Sequence, residues 1–338
     1  KPGTLAPHHA IRLGAGSHGR FESAVSTSGS SGRLRYQLSL SHSRSEGETA
    51  VMQHPAYGNT GQIPEDDGAR NTEFNTRLTW HMSDESRLEL GAFMKRARTD
   101  IDEFLTEDSD WTLGNREKSL QLQLYHRPVD GDWGLQLGLR HNETDRRSEN
   151  PRQVPTQNRI DTRYLGKHQS VETRVDYYGL PGHELSMIAQ WRRDSLTTSG
   201  FSAYGSIFGD FVITEATDSS TSSNSLALQE QWSGLRGESV TASVRLDDHD
   251  RFGSHASWRL AGSLPFLQRR GRLHLSAGSG FKAPSLYELF GESPNNYGSA
   301  YRGNPDLQPE KSSSIEAGID YSFPDTGLTT GITLYHSR

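Results

Sequence analysis

The sequence contains no cysteine, and only 32% of its 338 residues are hydrophobic. Because cysteine is absent, a disulfide framework, a thiolate metal site and a thiol nucleophile are all excluded. The mean hydropathy of -0.76 is low for a chain of this length that buries one large soluble core. The shortage of apolar residues therefore points away from an ordinary soluble globular fold.

Long hydrophobic runs are also missing. No stretch approaches the roughly 18 to 20 consecutive apolar residues that a membrane-spanning helix needs, so a helical membrane protein is excluded. A transmembrane β-barrel escapes this test, because only alternate residues of each strand face lipid. Low mean hydropathy is the expected composition of such a chain.

Concentrated blocks of Lys and Arg are absent, and the formal net charge is -6. This balance speaks against a nucleic-acid partner. Disorder is disfavoured as well, because the chain has 12 Phe, 12 Tyr and 6 Trp, many of them in regular alternation. The sequence therefore predicts an ordered chain in which residue types repeat at a short, regular spacing.

Strict alternation of apolar and polar residues is the main positive signal, and it recurs along almost the whole chain. Around residues 34–40, apolar side chains at even positions oppose polar ones at odd positions, and residues 73–82 repeat the pattern. About fifteen strands are predicted, most of them about 8 to 11 residues long, the length that crosses a bilayer at a tilt. Further strands are predicted around residues 21–27, 88–94, 120–124, 133–139, 171–177, 185–191, 226–228, 240–246, 258–260, 273–275, 315–323 and 328–334.

A soluble β-sandwich would also alternate, but it would bury its apolar faces against a second sheet. Here aromatic residues lie near the ends of runs, as an aromatic belt at the membrane interface predicts. They are Trp80, Trp133, Trp191, Trp258 and Tyr321. The sequence thus favours an all-β, antiparallel, up-and-down transmembrane β-barrel, and the sandwich stays open as the alternative on pattern alone.

Connections between the predicted strands alternate between short and long, as in a barrel with tight turns at one rim and loops at the other. Short turns are predicted at residues 83–86, 128–132, 179–182 and 324–327. Long polar connections are predicted at residues 45–72, 99–117, 142–169, 197–223 and 280–312. We expect ligand binding at the rim with the long connections. No interior boundary is evident, so residues 1–338 are predicted to belong to a single barrel domain.

The segment from Gly280 to Gly318 has the most specific sequence. It contains GFKAPSLYELFG, then GNPDLQPEKS, and then a Glu316–Gly318 pair. Pro284 removes a ladder donor and should end the preceding strand, and residues 303–306 have turn chemistry. This passage resembles the one that joins two barrel strands in TonB-dependent outer-membrane receptors. Residues 245–259 are also similar to this family, most closely to its vitamin B12 transporter branch.

The resemblance implies a barrel of about 22 strands around an N-terminal plug domain. On that comparison the chain would hold roughly 15 of the strands, without the plug domain and the C-terminal strands. A wall with two open edges in lipid is untenable, so we expect that these residues do not form a stable protein alone.

The family implies a location in the bacterial outer membrane, contact with outer-membrane lipid and lipopolysaccharide, and no enzymatic activity. It implies active uptake of a large scarce nutrient, with energy delivered by TonB through the plug. A corrinoid such as cobalamin is the first choice of ligand, and a ferric siderophore or haem receptor of the same family is the alternative. From another class, a passive porin-like channel or an outer-membrane adhesin stays open.

A calcium site is the last expectation, and it rests on the same resemblance. Residues 56–68 and 99–104 resemble two extracellular loops in which B12 transporters hold Ca²⁺. Matched residue by residue, the ligand role passes to Glu65, Asp67 and Asp102, with Asp110 as a weaker candidate. Clustered carboxylates suit Ca²⁺, which takes about six to eight oxygen ligands. Glu65 stands where the family more often has Asp.

Overall fold

The fold is described from a computed structural model of the chain, which covers residues 6–48, 66–103, 107–151, 159–204, 211–294 and 300–338. Its strands are β1 (His8–Ala15), β2 (Phe21–Ser31), β3 (Leu34–Ser45), β4 (Ala69–His81), β5 (Ser86–Glu103), β6 (Glu107–His126), β7 (Trp133–Asn150), β8 (Arg159–Tyr177), β9 (His183–Tyr204), β10 (Phe211–Ser233), β11 (Ser239–His249), β12 (Gly253–Phe266), β13 (Gly271–Lys282), β14 (Glu292–Pro294), β15 (Ala300–Arg302), β16 (Glu310–Phe323) and β17 (Leu328–Ser337). One short helix, α1 (Leu286–Phe290), lies between β13 and β14. None of the helical segments in the described residues is long and apolar enough to cross a membrane.

One antiparallel sheet holds nearly all of these strands. Fifteen strands pair in chain order from β1 to β13 and then through β16 to β17, while β14 and β15 form a separate pair. Strands β1 and β17 are the two edges of the sheet within the described residues. The predicted all-β, up-and-down architecture is confirmed, and so are about fifteen strands in the wall. The connection from β13 to β16 also matches the predicted junction of two barrel strands.

The apolar rows point away from any protein interior, which decides between the barrel and the sandwich. Leu228 and Leu260 expose 52% and 50% of their surface, and Trp80 and Trp258 are half exposed as well. The buried apolar residues in the described part of the chain are only Ile160, Ala203, Leu286 and Leu289. A sandwich would bury these rows between two sheets. The rows form one continuous apolar outer band, as a lipid-facing barrel wall requires.

Short turns lie where the sequence predicts them. At residues 83–86 the Ser83 hydroxyl accepts hydrogen bonds from the backbone N–H groups of Glu85 (3.2 Å) and Ser86 (3.0 Å). Gly182 and Gly327 adopt φ angles of 78° and 67°, a region that glycine enters without a steric penalty. These turns define one rim of the wall.

At the opposite rim, the predicted long connections at 99–117, 142–169 and 197–223 are largely wrong, because strands continue through them. β9 and β10 run for 22 and 23 residues, about twice the length that crosses a bilayer. Above the membrane both faces of a strand meet water, so the apolar period ends although the hydrogen-bonded ladder continues. The wall therefore rises well beyond the apolar band on β5 to β10.

Candidate functional site

The segment between β13 and β16 turns inward and docks on the lumen face of the wall. β13 ends at Lys282, just before Pro284, as predicted. The Thr217 hydroxyl of β10 donates a hydrogen bond to the Phe290 carbonyl (3.0 Å), and the Tyr164 hydroxyl of β8 donates to the Glu292 carbonyl (3.0 Å). These contacts tie the segment to β10 and β8, which lie three and five strands away from β13 in the sheet.

Helix α1 is held by its cap and by burial of one side. Ser285 caps the helix: its hydroxyl accepts from the Glu288 backbone N–H (3.2 Å), and the Glu288 carboxylate accepts from the Ser285 N–H (2.7 Å). The pKa of the Glu288 carboxyl is lowered, first by its hydrogen bond with the Ser285 backbone N–H and then by its interaction with the Ser285 side chain. Leu289 is only 2% exposed. A reciprocal capping box of this kind begins a helix even where the helix is too short to form alone.

Gly303 shows how tightly the returning chain passes α1. A Cβ atom at this position would lie 2.5 Å from the carbonyl carbon of Leu289. The backbone N–H of Asn304 donates to the Glu288 carbonyl (2.9 Å), and the Asp306 N–H donates to the Asn304 side chain (3.0 Å). The predicted turn at 303–306 is therefore present, and its glycine is required by close approach.

Three tyrosines meet at this inward segment. The rings of Tyr287 and Tyr301 stack with centroids 5.1 Å apart and planes 6° apart, and the Tyr164 ring lies edge-on to Tyr287 at 6.3 Å. Tyr287 and Tyr301 are 39% and 41% exposed. Stacked tyrosines present a broad aromatic face with polar edges, suited to flat conjugated ligands.

A cavity of about 820 Å³ opens beside these tyrosines on the lumen face of β5 to β9. Its volume falls within the ~300–1,000 Å³ range of ligand pockets. The wall combines apolar, aromatic and cationic groups, including Leu113, Arg146, Tyr164, Leu196 and Tyr287. Within the described residues Arg146 forms no ion pair. The cavity can therefore hold a large ligand that has an aromatic or conjugated face and an anionic group.

Below the cavity, the lumen face carries partnered charges. Arg174 contacts Asp176 (2.7 Å) and Glu184 (3.3 Å), and the Ser186 hydroxyl donates to Asp176 (2.6 Å). Higher on the wall, Asp194 accepts from Arg192 (2.6 Å) and pairs with His168 (2.7 Å). Buried charges persist only when they are paired. Below the cavity the lumen face is thus rich in paired charges, as the polar side of the alternation predicted.

The predicted calcium ligands are only partly within the described residues. Glu65 lies outside them, and so does the side chain of Asp102. Asp67 is half-buried, and the backbone N–H of Asp100 donates to the carbonyl of neighbouring Gly68 (2.8 Å). The structure thus brings the Asp67 segment beside the β5 end that carries Asp102. In the described part of the chain no group of three or more His, Asp or Glu residues is placed to hold a metal ion, and the calcium site stays a prediction.

Comparison with known families is decisive for the class of protein. Residues 55–338 match the family model described as "TonB dependent receptor-like, beta-barrel". The chain belongs to this family. TonB-dependent receptors are transporters and receptors of the bacterial outer membrane, not enzymes.

Individual relatives are distant and match only in part. A vitamin B12 transporter, BtuB, of Photobacterium profundum is 24% identical over 280 residues, which cover 81% of this chain and 40% of the relative. The hemophore receptor HasR of Serratia marcescens, solved as a double mutant with HasA and heme, superposes with a TM-score of 0.70 at 14% identity. The ferric enterobactin receptor PfeA of Pseudomonas aeruginosa, a Q482A mutant bound to enterobactin, gives a TM-score of 0.65 at 17% identity.

These solved relatives establish the fold of the TonB-dependent receptor wall. The match covers 99% of this chain and 54% of HasR, and 99% of this chain and 53% of PfeA. The chain therefore spans about half the length of the solved receptors and less than half of the B12 transporter. Ligands named for these relatives differ among themselves, so the family alone leaves the ligand of this receptor open.

Sequence reasoning missed the residues that line the cavity. Leu113, Arg146, Tyr164 and Leu196 fall in or beside segments that were predicted to be loops, where alternation of apolar residues had ended. Tyr287 lies in the passage that carried the resemblance, but the sequence assigned it no role. Strand pairing is unbroken along β8 and β9, so extending the side-chain alternation upward from the membrane-spanning part would have placed Tyr164 and Leu196 on the lumen face.

Proposed function

We propose that this chain is the wall of a receptor that takes up a large scarce nutrient by TonB-dependent transport, with a corrinoid such as cobalamin as its ligand. Membership of the TonB-dependent receptor family supports the transport class. The similarity to a vitamin B12 transporter supports the corrinoid. The observation on which the proposal depends is the aromatic cavity of about 820 Å³ at the lumen mouth.

The chemistry of the cavity suits a corrinoid. A corrin ring is a broad conjugated plane with amide groups at its edge, and cobalamin also carries a phosphate. Tyr287 and Tyr164 offer an aromatic face and hydroxyl groups to such a plane, and Arg146 offers a planar donor for the phosphate. Haem and ferric siderophores combine an aromatic surface with negative charge in a similar way. They are the alternative ligands under the same transport mechanism.

Transport requires a release step that the wall itself does not supply. In the proposed mechanism the ligand is captured at the mouth, and energy delivered by TonB to a plug domain releases it inward. A passive porin-like channel or an adhesin would need no such step. Uptake that stops when the proton gradient is dissipated supports the receptor, whereas uptake that persists supports the channel.

Calcium is included in the proposal as a stabiliser of the mouth, with Glu65, Asp67 and Asp102 as ligands. The pairing of the Asp67 segment with the end of β5 supports this arrangement. A bound Ca²⁺ that takes oxygen ligands from both segments would hold the two segments together. Cobalamin affinity of the full-length receptor should then fall when Ca²⁺ is removed by a chelator, and the double variant D67N/D102N should lose this dependence.

The test is ligand retention by the purified full-length receptor. Cobalamin, haem and a ferric siderophore are offered separately, with and without Ca²⁺. We expect cobalamin to be retained and Tyr287→Ala to weaken its binding at least tenfold, about 1.4 kcal/mol. Tyr177→Ala is the matched control, because Tyr177 lies on the lipid face of β8. Retention of only the iron complexes would overturn the ligand while leaving the transport class in place.

A further inference from the structure

Strand β10 rises above its neighbour β11 and ends in a free edge. β10 pairs with β9 from Phe211 to Trp232, but its pairing with β11 begins only at Ser223. Residues 211–222 therefore have a strand partner on one side, while on the other side β11 has already ended at His249. The upper part of β10 forms a step in the rim of the wall.

The contacts of Asp250 show which backbone groups lie on this edge. The Ser222 carbonyl accepts from the Asp250 N–H (3.0 Å), and the Ser222 N–H donates to the Asp250 carboxylate (2.6 Å), so both groups point away from β9. In a strand the backbone groups of alternate residues point to the same side. The edge groups above Ser222 therefore belong to Val212, Thr214, Ala216, Asp218 and Ser220. None of these groups has a backbone partner in the residues that the structure describes.

The edge lacks the features that keep free strands from pairing. Natural sheets protect an edge with proline, lysine, a bulge or a very short strand. Residues 211–222 contain no Pro, Lys or Arg, and their register with β9 is unbroken. On the other side of the tall part of the wall, β5 extends beyond β4 only from Asp100 to Glu103, and the Asp100 N–H bonds to the Gly68 carbonyl. The β10 edge is long and open by comparison.

The edge stands outside the hydrocarbon layer. With a rise of about 3.3 Å per residue and a tilt of about 40°, Ser220 lies about 15 Å and Val212 about 35 Å above Leu226 of the apolar band. On the lumen side, the Thr217 hydroxyl of this part of β10 bonds to the Phe290 carbonyl of the inward segment. The inward segment therefore covers one face of the strand and leaves its backbone edge open.

Backbone and charge both specify what can bind to this edge. A row of unpaired N–H and C=O groups at strand spacing is complementary to an extended polypeptide, which adds as a further strand. Residues 211–222 include Glu215 and Asp218 and no cation. Asp218 is exposed, and it forms no ion pair with any residue that the structure describes. The complementary strand carries β-branched residues and a Lys or Arg opposite Asp218.

A second copy of this chain fits the edge less well. Two receptors in one membrane have the same orientation, so their β10 edges would meet in parallel, which is slightly less stable than antiparallel pairing. They would also bring two Asp218 carboxylates towards each other, and like charges on opposed strands are destabilising. A segment of another polypeptide has neither restriction.

We propose that the free edge of β10 binds an extended, basic segment of a polypeptide outside the cell, which adds to the wall as a further strand. Backbone hydrogen bonds along residues 212–220 hold the segment, and Asp218 selects its charge. This interaction does not depend on the proposed cavity ligand, because none of the described residues that line the cavity belongs to β10.

The test measures binding of acetylated peptides that alternate Thr and Val around a central Lys to the full-length receptor. We expect the parent to bind this peptide and Ala216→Pro to bind it at least tenfold more weakly, because proline removes an edge N–H and obstructs an approaching strand. Ala216→Thr keeps the N–H and is the matched control, which should bind as the parent does. Asp218→Asn should weaken binding about threefold, and this loss should vanish when Gln replaces the Lys of the peptide.

A backbone-blocked peptide separates strand addition from contact through side chains alone. The same peptide with N-methyl groups on the residues that face β10 should not bind, because it has no N–H to donate. Circular dichroism of Ala216→Pro checks that the variant folds, and cobalamin retention by this variant is measured separately. Equal binding by the parent and Ala216→Pro would overturn the proposal. So would equal binding of the plain and methylated peptides, or failure of the parent to bind any of the peptides.

Two measurements on the receptor without peptide test the other occupants of the edge. Amide exchange should be fast at the even positions from Val212 to Ser220 and slow at the odd positions between them, which bond to β9. Protection of the even positions would assign the edge to another segment of the same receptor. Self-association of the parent that Ala216→Pro abolishes would assign it to a second copy. Either result would overturn the proposal.

Discussion

The two faces of strands β5 to β8 carry different chemistry above the membrane. On the outer face, Arg98, Arg147 and Arg163 stand in one row with little burial. On the lumen face of the same strands, Arg146 and Tyr164 line a cavity closed on one side by Tyr287. Neighbouring residues such as Arg146 and Arg147 therefore serve opposite surfaces. Because side chains alternate along a strand, one hydrogen-bonded ladder can support two chemically different surfaces.

The largest expected effect comes from placing a charge on the lipid face, rather than on the lumen face, of the membrane-spanning part of a strand. Leu228→Arg places a charge in the apolar band, whereas Gln229→Arg places the same charge in the wet lumen. We expect Leu228→Arg to lower the free energy of unfolding by about 2–4 kcal/mol and Gln229→Arg by less than about 1 kcal/mol. Unfolding of the full-length receptor in lipid vesicles measures both. Equal losses would mean that the two faces are not lipid and lumen.

A smaller effect is expected at the Asp145 carboxylate on the outer face of β7. The hydrogen bond from Arg163, followed by the charges of Arg163, Arg147 and Arg116, holds the pKa of Asp145 below its usual value. Since the folded pKa is depressed, the stabilisation is complete above the unfolded pKa of about 3.9 and is lost as pH falls through the folded pKa. Asp145→Asn should weaken the β7–β8 hairpin by about 1–2 kcal/mol at pH 7.

Amide hydrogen exchange of the β7–β8 hairpin provides the measurement for Asp145. The parent should lose protection as pH falls below about 3.9, after correction for intrinsic exchange rates. Asp145→Asn should show no such loss, because it has no carboxylate to protonate. The control is Asp176→Asn, whose partners Arg174 and Ser186 lie on the lumen face near the other rim. A hairpin in Asp145→Asn that keeps the parent's pH dependence would contradict the assignment.

The smallest expected effect concerns the inward segment that shapes the cavity. Ser285→Ala removes the hydroxyl that caps α1 and should destabilise the segment by about 1 kcal/mol. Ser285→Asp keeps a capping oxygen and should behave like the parent. Protease sensitivity of the segment between β13 and β16 distinguishes the two variants. If both variants resist cleavage equally, docking of Leu289 alone holds the helix.

Much of the wall could be predicted because lipid imposes a period on the sequence. The rows that include Leu228 and Leu260, and the strand end before Pro284, follow from alternation and from the missing N–H of proline. The extensions of β5 to β10 could not be predicted in the same way. There both faces meet water, and polar residues at every position leave no period to detect.

The residues of the candidate sites also differ in how far the sequence predicts them. Tyr287 was visible in the sequence as part of a specific passage, but its stacking on Tyr301 depends on a turn that folds inward. Asp67 and Asp102 were predicted together from resemblance, and pairing of their segments is compatible with that prediction without testing it. Arg146 had no sequence signal, because one arginine in a polar stretch resembles any other.

The amino acids alone favoured a lipid-facing barrel, because an alternating chain without long apolar runs can satisfy its backbone in lipid only as a barrel. They left the soluble sandwich open, and the exposed apolar rows of the folded sheet decided against it. The register between neighbouring strands could be read only from the folded sheet. No block of positive charge exists in the sequence, yet strand pairing aligns Arg44, Arg70, Arg98, Arg147 and Arg163 on one face. Alternation is a local property of each strand, whereas the alignment of charges depends on the stagger between strands, which hydrogen bonding across the whole wall decides.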